Sequence, residues 1–182
     1  QVPCIGFDNA SASEHAVDHL VELGHRRIGM VAGLSFGNDR ARARRSGVER
    51  GLAKHGLPID PGLFIEKPYS HDDGREGLAE LLNNEAPPTA IMCGNDVLAM
   101  GVMFEARDRG IAIPGDLSII GFDNLPITSQ LIPALTTIEV PSVPIGVASA
   151  DAIVAHLTDG SPIVSKSFPA PFVLRATTQG PR

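Results

Sequence analysis

The sequence has few of the features that mark specialised protein classes. Among its 182 residues there are only two cysteines, Cys4 and Cys93, both in apolar, strand-like surroundings. Buried free thiols are the simplest interpretation and suit a reducing cytosol, although a disulfide stays open at this level. No apolar run approaches the roughly 18 residues of a membrane helix. We therefore expect a cytoplasmic protein with no membrane partner.

An excess of basic charge is also absent. The formal net charge is −6 and the isoelectric point is near 5.4, which argues against a surface that neutralises nucleic-acid phosphates. We expect that the chain by itself does not bind DNA specifically. Hydrophobic residues make up 43% of the sequence, so the chain can bury a core and is not a disordered segment.

Catalytic and cofactor motifs are missing as well. The sequence has no Gly-x-Ser-x-Gly nucleophile elbow, no Gly-x-Gly-x-x-Gly and no P-loop, and it supports no nucleophile–base–acid set. His15 and His19 lie four residues apart on one helical face. Two ligands do not close a zinc site, so an exposed helix surface is the simpler interpretation. We expect no enzyme activity, no cofactor and no metal.

The sequence does contain a regular alternation of predicted helices and strands. Such alternation predicts an α/β fold in which a parallel sheet, joined by right-handed crossovers, has helices on both faces in a three-layer α/β/α arrangement. The first predicted helix begins at Ser11 or Ser13 and ends at Gly24. The other predicted helices are Arg40–Lys54, Asp73–Leu82, Asp96–Arg109 and Val143–Leu157. The predicted strands are Ile28–Ala32, Leu63–Ile65, Ala90–Cys93, Leu117–Ile120, Leu135–Ile138, Val164–Phe168 and Phe172–Thr177.

Two predicted strands end in a glycine that is followed by Asp and Asn. One break is Gly94-Asn95-Asp96 and the other is Gly121-Phe122-Asp123-Asn124. Ligands of open α/β sheets bind beyond the carboxyl ends of the strands, so both breaks indicate a site for a small polar molecule. We expect Asn95 to reach this crevice, while Asp96 caps the next helix or holds the loop. No helix follows Asp123, which favours a ligand contact that accepts hydroxyl or amine hydrogens.

Four arginines, at positions 40, 42, 44 and 45, open the helix that follows the predicted strand Ile28–Ala32. Most of them are expected to be solvated, but a guanidinium at the crevice can bind hydroxyls or a carboxylate in a bidentate manner. We predict that Arg44 faces the ligand. The preceding segment, Gly33–Asp39, is interpreted as the rim of the crevice, with a phosphate cradle as the minority alternative. The Gly24–Ile28 stretch is interpreted as a helix end with a structural role.

Six motifs stand in a fixed order along the chain: Gly24–Ile28, Arg44–Gly47, Gly94–Gly101, Ile113–Asn124, Pro133–Ile138 and Leu174–Thr178. In this order they resemble bacterial repressors of the lactose/galactose-repressor (LacI/GalR) family over nearly the whole chain. The resemblance implies a periplasmic-binding-protein-like fold of two lobes around an effector cleft. It also implies that Arg44, Asn95 and Asp123 contact a sugar or similar small metabolite. Operator DNA would be bound by an N-terminal helix-turn-helix segment that this chain does not contain.

The same resemblance implies how the chain is divided. Residues 10–136 would form the C-terminal lobe, 1–9 a remnant strand of the N-terminal lobe, 137–170 the crossover with an N-terminal-lobe segment, and 171–182 the returning last strand. The chain opens in an apparent strand, Gln1–Gly6, without a basic segment or an initiator Met. We therefore expect no signal peptide there and a piece of a longer protein.

A two-fold dimer contact is predicted on the helix Asp96–Arg109 and on the irregular segment after Asp123. The helix is apolar nearly all round, which is typical of a helix buried on both sides, and we expect the sheet to cover only one of them. The other would then be a partner surface, in the place where the family resemblance implies a dimer. The predicted interface residues of this homodimer are Met100, Met103, Phe104, Ile127 and Leu131.

Two other functions remain open at this level. A soluble sugar-binding receptor of a transporter would share the same fold, and an α/β enzyme is less well supported because it needs a catalytic pair or a cofactor motif. Fold alone does not determine which function the chain has.

Overall fold

Strands and helices alternate along the computed structural model, which describes residues 2–182; Gln1, part of the predicted remnant strand, lies outside the described residues. The strands are β1 (Ile5–Gly6), β2 (Ile28–Gly33), β3 (Phe64–Lys67), β4 (Ala90–Cys93), β5 (Ser118–Ile120), β6 (Thr137–Ile138), β7 (Lys166–Ser167) and β8 (Phe172–Val173). The helices are α1 (Asn9–Glu22), α2 (Asp39–Lys54), α3 (His71–Leu82), α4 (Asp96–Asp108) and α5 (Ser142–Asp159), and 3-10 turns occupy Pro61–Leu63 and Pro126–Gln130.

The central sheet has the order β3-β2-β4-β5, and all of its strand pairs are parallel. Every residue of β2 and of β4 is buried, as expected for strands that have helices on both faces. Helix α1 packs against α2, and α3 packs against α4. Right-handed crossovers place these two pairs on opposite faces of the sheet. The predicted three-layer α/β/α fold is therefore confirmed.

The start of α1 differs from the prediction. Asp8 is its N-cap, and the Asp8 carboxylate accepts hydrogen bonds from the backbone amides of Ala10 (2.9 Å) and Ser11 (3.0 Å). The helix therefore begins ahead of both serines that were predicted to cap it, because an aspartate oxygen satisfies the free amides of the first turn equally well. Its end agrees with the prediction, since Gly24 has φ +103°, a conformation that glycine adopts at low cost.

The Gly24–Ile28 stretch has the structural role that the sequence predicted. The His25 ring is buried between two strands and the C-terminal segment, where Nε2 donates to the carbonyl oxygen of Gln179 at 2.8 Å. Nδ1 then accepts from the hydroxyl of Thr89, also at 2.8 Å. Burial lowers the pKa of His25, so the neutral ring holds the end of the chain against the sheet.

The remaining strands form two small sheets. Strand β1 pairs in parallel with β7, β6 pairs antiparallel with β8, and a parallel bridge from Ile120 to Thr136 connects β6 with the edge of the central sheet. Helix α5 packs against β1, but none of its described residues is buried. This part of the molecule therefore presents a largely apolar helix to its surroundings.

Two sequence interpretations need correction. Cys4 is exposed, and only Cys93 is the buried free thiol that was expected of both. His15 is exposed as predicted, but His19 is half-buried, since its ring lies 4.9 Å from that of Phe172 and its Nε2 3.2 Å from the Thr178 hydroxyl. The C-terminal segment folds back onto α1, which local sequence does not reveal.

Candidate functional site

A polar pocket of about 430 Å³ lies at the carboxyl ends of the central strands. The three residues predicted as ligand contacts, Arg44, Asn95 and Asp123, all line it. They come from the start of α2, the start of α4 and the loop after β5, and the strand order brings these three places to one edge of the sheet. The complete lining is Gly37, Asn38, Asp39, Arg40, Arg44, Tyr69, Asn95 and Asp123.

The Arg44 guanidinium is rigidly held. Arg44 as a residue is 8% exposed, and its guanidinium donates from Nε to Asn9 Oδ1 at 2.9 Å and from Nη1 to the carbonyl oxygen of Gly94 at 2.6 Å. Its Cζ also lies 3.7 Å from the centre of the Phe122 ring, a cation–π contact. These contacts leave Nη2 directed towards Asp123, with N–H groups free for a ligand.

The Asp123 carboxylate is only partly satisfied within the pocket. Its nearest cation is Arg44, with Oδ1 3.6 Å from Nη2, and no residue between 2 and 182 donates a hydrogen bond to its side chain. Burial raises the pKa of Asp123 to about 6 even though Arg44 favours the charged form; Asp96 adds to the rise and Arg40 opposes it. A partly buried carboxylate with free acceptor positions is suited to ligand hydroxyls or amines.

The backbone at this position is strained. Asp123 has φ +123° and Asn124 has φ +58°, values at which a residue with a Cβ costs on the order of 1–3 kcal/mol. Asn tolerates this region better than most residues, so the larger cost falls on Asp123. The loop is held there by the hydrogen bond from the Asp123 amide to the carbonyl oxygen of Ile138, at 2.8 Å. Strain of this kind concentrates at functional sites.

The roles of Asn95 and Asp96 correct one prediction. The N-cap of α4 is Asn95, whose Oδ1 accepts from the amide of Leu98 at 2.9 Å, and not Asp96. Asn95 also lines the pocket, where its side-chain NH₂ is left for a ligand. Asp96 is completely buried and binds the loop after β5 through the amide of Leu125 at 2.8 Å. It therefore holds a loop, as the alternative interpretation expected.

Packing explains why residue 121 is a glycine, and the sequence alone does not show this packing. A Cβ at this position would collide with the carboxylate of Asp96 and approach Leu135 Cδ2 to 2.9 Å. The glycine before Phe122-Asp123 therefore makes room for the buried carboxylate that anchors the same loop.

Two pocket residues were not predicted individually. Tyr69 follows β3 at the same edge of the sheet, and its hydroxyl accepts from Asn38 Nδ2 at 3.4 Å. It also lies against Gly33, where a Cβ would occupy the same space. The rule that singled out the residues after β4 and β5 applies equally after β3. Arg40 belonged to the arginine cluster and lines the pocket.

The other two arginines of the cluster point elsewhere. Arg42 donates to the carbonyl oxygen of Ser35 at 2.8 Å, and Arg45 forms ion pairs with Glu49 and Glu66. The rim segment Gly33–Asp39 reaches the pocket through Gly37, Asn38 and Asp39, in agreement with its interpretation.

The surroundings of α4 differ from the expectation behind the predicted dimer contact. Helix α3 covers the second face of α4 within the chain, because Gly101 leaves space for the backbone of His71 and Gly74. Met100 and Met103 are consequently only 6% exposed. The expectation that α4 has a free face is therefore wrong at these two positions. Ile127 is exposed, and Phe104 and Leu131 are half-buried. Phe104 and Leu131 line an apolar groove of about 470 Å³.

No group of three or more His, Cys, Asp and Glu side chains within residues 2–182 has the geometry to hold a metal ion. No helix in the same range is long and apolar enough to cross a membrane.

Comparison with known proteins places the chain in a family. Residues 17–178 match the model of the periplasmic binding protein-like domain. Catabolite control protein A of Priestia megaterium is 36% identical over 146 residues, which are 80% of this chain and 44% of that protein. The transcriptional repressor CytR of Escherichia coli strain K12 is 37% identical over 146 residues, 80% of this chain and 42% of the repressor. The chain thus spans less than half the length of these relatives.

Solved structures agree with this placement. A regulatory protein of the LacI family from Chloroflexus aggregans superimposes with a TM-score of 0.92 at 30% identity, over 97% of this chain and 64% of that one. A sugar-binding LacI-family transcriptional regulator from Escherichia coli, complexed with phosphate, has a TM-score of 0.88 at 27% identity, over 97% and 63%. The chain therefore belongs to the periplasmic binding protein-like domains of LacI-family transcriptional regulators, as its ordered motifs predicted.

Proposed function

We propose that the chain is the effector-binding portion of a transcriptional regulator and that its polar pocket binds a small, hydroxyl-rich metabolite such as a carbohydrate. The observation that carries this proposal is the pair formed by Asp123 and Arg44. Asp123 offers a carboxylate that accepts no hydrogen bond from residues 2–182, and Arg44 offers a guanidinium fixed by Asn9 and Gly94.

The lining matches the chemistry of a sugar. Neighbouring hydroxyls can each donate to one oxygen of Asp123, while the free N–H groups of Arg44 and the amide of Asn95 donate to ligand oxygens. Tyr69 adds a hydroxyl to the lining. Similarity to a sugar-binding regulator of the same family supports this class of ligand. No cofactor is needed for binding of this kind.

We also infer the partners of the regulator. Operator DNA is assigned to a part of the protein outside this sequence, because the chain carries a net charge of −6 and DNA binding favours basic surfaces. A homodimer is proposed through Phe104, Ile127 and Leu131, with Met100 and Met103 beneath them. A regulator that acts on bacterial DNA belongs in the cytoplasm.

Calorimetric titration of the full-length regulator tests the ligand assignment. The panel comprises monosaccharides, disaccharides, sugar phosphates and nucleosides, and we expect at least one sugar to bind. Asp123→Ala should weaken that binding about thirtyfold or more, since removal of one partner from a buried charged hydrogen bond costs about 2–5 kcal/mol.

Asp116→Ala is the matched control. Asp116 precedes β5 at the opposite end of the strand, is exposed, and lies 3.1 Å from Arg182, so its loss should leave sugar affinity unchanged. Wild-type affinity in Asp123→Ala would refute the site. Binding of nucleosides alone would refute the carbohydrate class but leave the pocket as the effector site.

A further inference from the structure

Arg175, in the C-terminal segment after β8, is a half-buried arginine with no role in the pocket. No carboxylate of residues 2–182 lies within ion-pair distance of it. Its guanidinium instead donates from Nη2 to Asn124 Oδ1 at 2.6 Å, and from Nη1 to the carbonyl oxygen of Leu135 at 2.7 Å and to the hydroxyl of Thr128 at 3.1 Å. A charge placed in this way binds one stretch of chain at three points.

That stretch is residues 124–135, called here the connecting segment. It begins directly after the strained Asp123 and contains the exposed Ile127 and Ile132, the latter 98% exposed. The segment thus starts beside the pocket, and its middle contributes to the apolar surface proposed for the dimer. Its only regular structure is the 3-10 turn Pro126–Gln130, so its shape depends on side chains from elsewhere.

Asp96 fixes the same segment from the side of the sheet. Its Oδ2 accepts from the amide of Leu125 at 2.8 Å and its Oδ1 from the hydroxyl of Thr137 at 2.6 Å. Asn124, which Arg175 holds by its oxygen, donates from Nδ2 to Glu139 at 3.1 Å. A buried carboxylate and a half-buried guanidinium therefore act on adjacent residues, immediately after the pocket carboxylate.

We propose that Arg175 is a positioning residue that sets the orientation of Asp123 through Asn124 and couples the pocket to the apolar surface of the connecting segment. The coupling rests on the proposed role of Asp123 as the ligand contact. A ligand that moves Asp123 must move Asn124, and the guanidinium shared by Asn124, Thr128 and Leu135 carries this movement to Ile127 and Ile132. Charged hydrogen bonds of this kind are roughly twice as strong as neutral ones.

The test uses the ligand-free chain, so a failure to find an effector does not affect it. Hydrogen exchange is measured for the amides of Thr128 and Leu135, which bond to Leu125 and Thr128 inside the segment. Arg175→Met should accelerate both on the order of tenfold or more and leave the amides of β4 unchanged. Arg175→Lys, which keeps the charge but not the planar fork, should restore part of the protection.

The second readout is the titration of the Asp123 carboxyl by carbon NMR. Its pKa, about 6 in this structure, should fall towards its ordinary value in Arg175→Met, because a released loop exposes the carboxylate to water. Arg44, Arg40 and Asp96 are the other charged groups that act on it. Arg175 in turn favours the charged form of Asp96, so Arg175→Lys, which keeps that charge, is titrated beside Arg175→Met. Arg182→Met, which removes an exposed arginine paired with Asp116, is the control and should change neither readout.

Coupling is measured by a double-mutant cycle. Asp123→Asn should change exchange at Thr128 and Leu135 in the wild-type background but not in Arg175→Met. Wild-type exchange in Arg175→Met, acceleration spread equally over β4, or additive effects in the cycle would each overturn the proposal. If Arg175→Met does not fold, Thr128→Val removes one acceptor of the guanidinium, and its effect should appear in the connecting segment alone.

Discussion

At the residue scale, Asp123 is placed where it weakens the fold. It combines a left-handed backbone conformation, a raised pKa and a carboxylate that receives no hydrogen bond from residues 2–182. Groups that bind ligands often lower the stability of the free protein, so that replacing them stabilises the fold at the expense of binding. The proposed effector would supply the donors that the protein does not.

We expect Asp123→Asn to stabilise the chain at pH 8 by about 1 to 3 kcal/mol. The folded pKa of Asp123, about 6, is above the ordinary 3.8. The folded state therefore favours the protonated carboxyl. This contribution to stability is fully present below pH 3.8 and is lost as the pH rises through about 6. Asn keeps the shape and tolerates the positive φ, but it cannot ionise.

Urea unfolding from pH 4 to pH 8 checks this expectation, followed by circular dichroism because the chain has no tryptophan. The stability gap between variant and wild type should open between about pH 4 and pH 7 and then level off. A variant that is less stable than wild type at pH 8 would show that the Arg44 pair outweighs burial of the carboxylate. Asp116→Asn is the control without a buried charge.

At the element scale, helices α3 and α4 cross at close range. A Cβ on Gly74 would collide with the carbonyl oxygen of Leu98, and a Cβ on Gly101 with that of His71. The two backbones therefore approach more closely than helices with larger side chains at the crossing. This approach is what lets α3 cover the second apolar face of α4 and bury Met100 and Met103.

Gly101→Ala should lower the free energy of unfolding by about 1–3 kcal/mol or more, because the added methyl meets backbone that cannot move aside. Gly146→Ala is the matched control. Gly146 also lies inside a helix, α5, but no atom is within 4 Å of its Cβ position, so the same change should stabilise by up to about 1 kcal/mol. Urea unfolding of both variants checks the pair, and equal effects would contradict the assigned crossing.

At the scale of the whole molecule, two of the apolar regions within residues 2–182 that face outwards are candidates for association. One is the surface of Phe104, Ile127, Leu131 and Ile132 beside α4. The other lies along α5, where Val143, Val147, Val154 and Leu157 are exposed. Apolar patches of this kind usually mark contacts with other chains or domains, so the two regions are competing candidates for association of the chain.

We expect the chain to form a homodimer at about 50 µM and Ile127→Glu to make it monomeric, since a two-fold contact meets each new charge twice. Ile127 is a better position than Met103, because it is 51% exposed and its replacement should leave the fold intact. Light scattering is the measurement, and Val154→Glu on α5 is the control. Loss of the dimer in Val154→Glu but not in Ile127→Glu would assign association to α5 instead.

The sequence by itself determined the order of the helices and strands and the edge of the sheet where the site lies, but it overestimated the last three strands, which have two residues each. The strands Ala90–Cys93 and Ser118–Ile120 are encoded in short apolar runs, and the end of α1 is encoded in Gly24, which adopts a positive φ. These signals are local, because they depend on the conformational preferences of contiguous residues. For the same reason, polar residues directly after a predicted strand indicate the pocket from the sequence alone.

Only the tertiary structure decided which side chains meet. The burial of Asp96, the stacking of Arg44 on Phe122 and the place of Tyr69 in the pocket all require the strand order β3-β2-β4-β5. The cover of α4 by α3 and the contacts of Arg175 likewise join residues far apart in the chain. Whether a charge is buried, paired or free depends on these distant partners, and the chain next to it carries no signal of them.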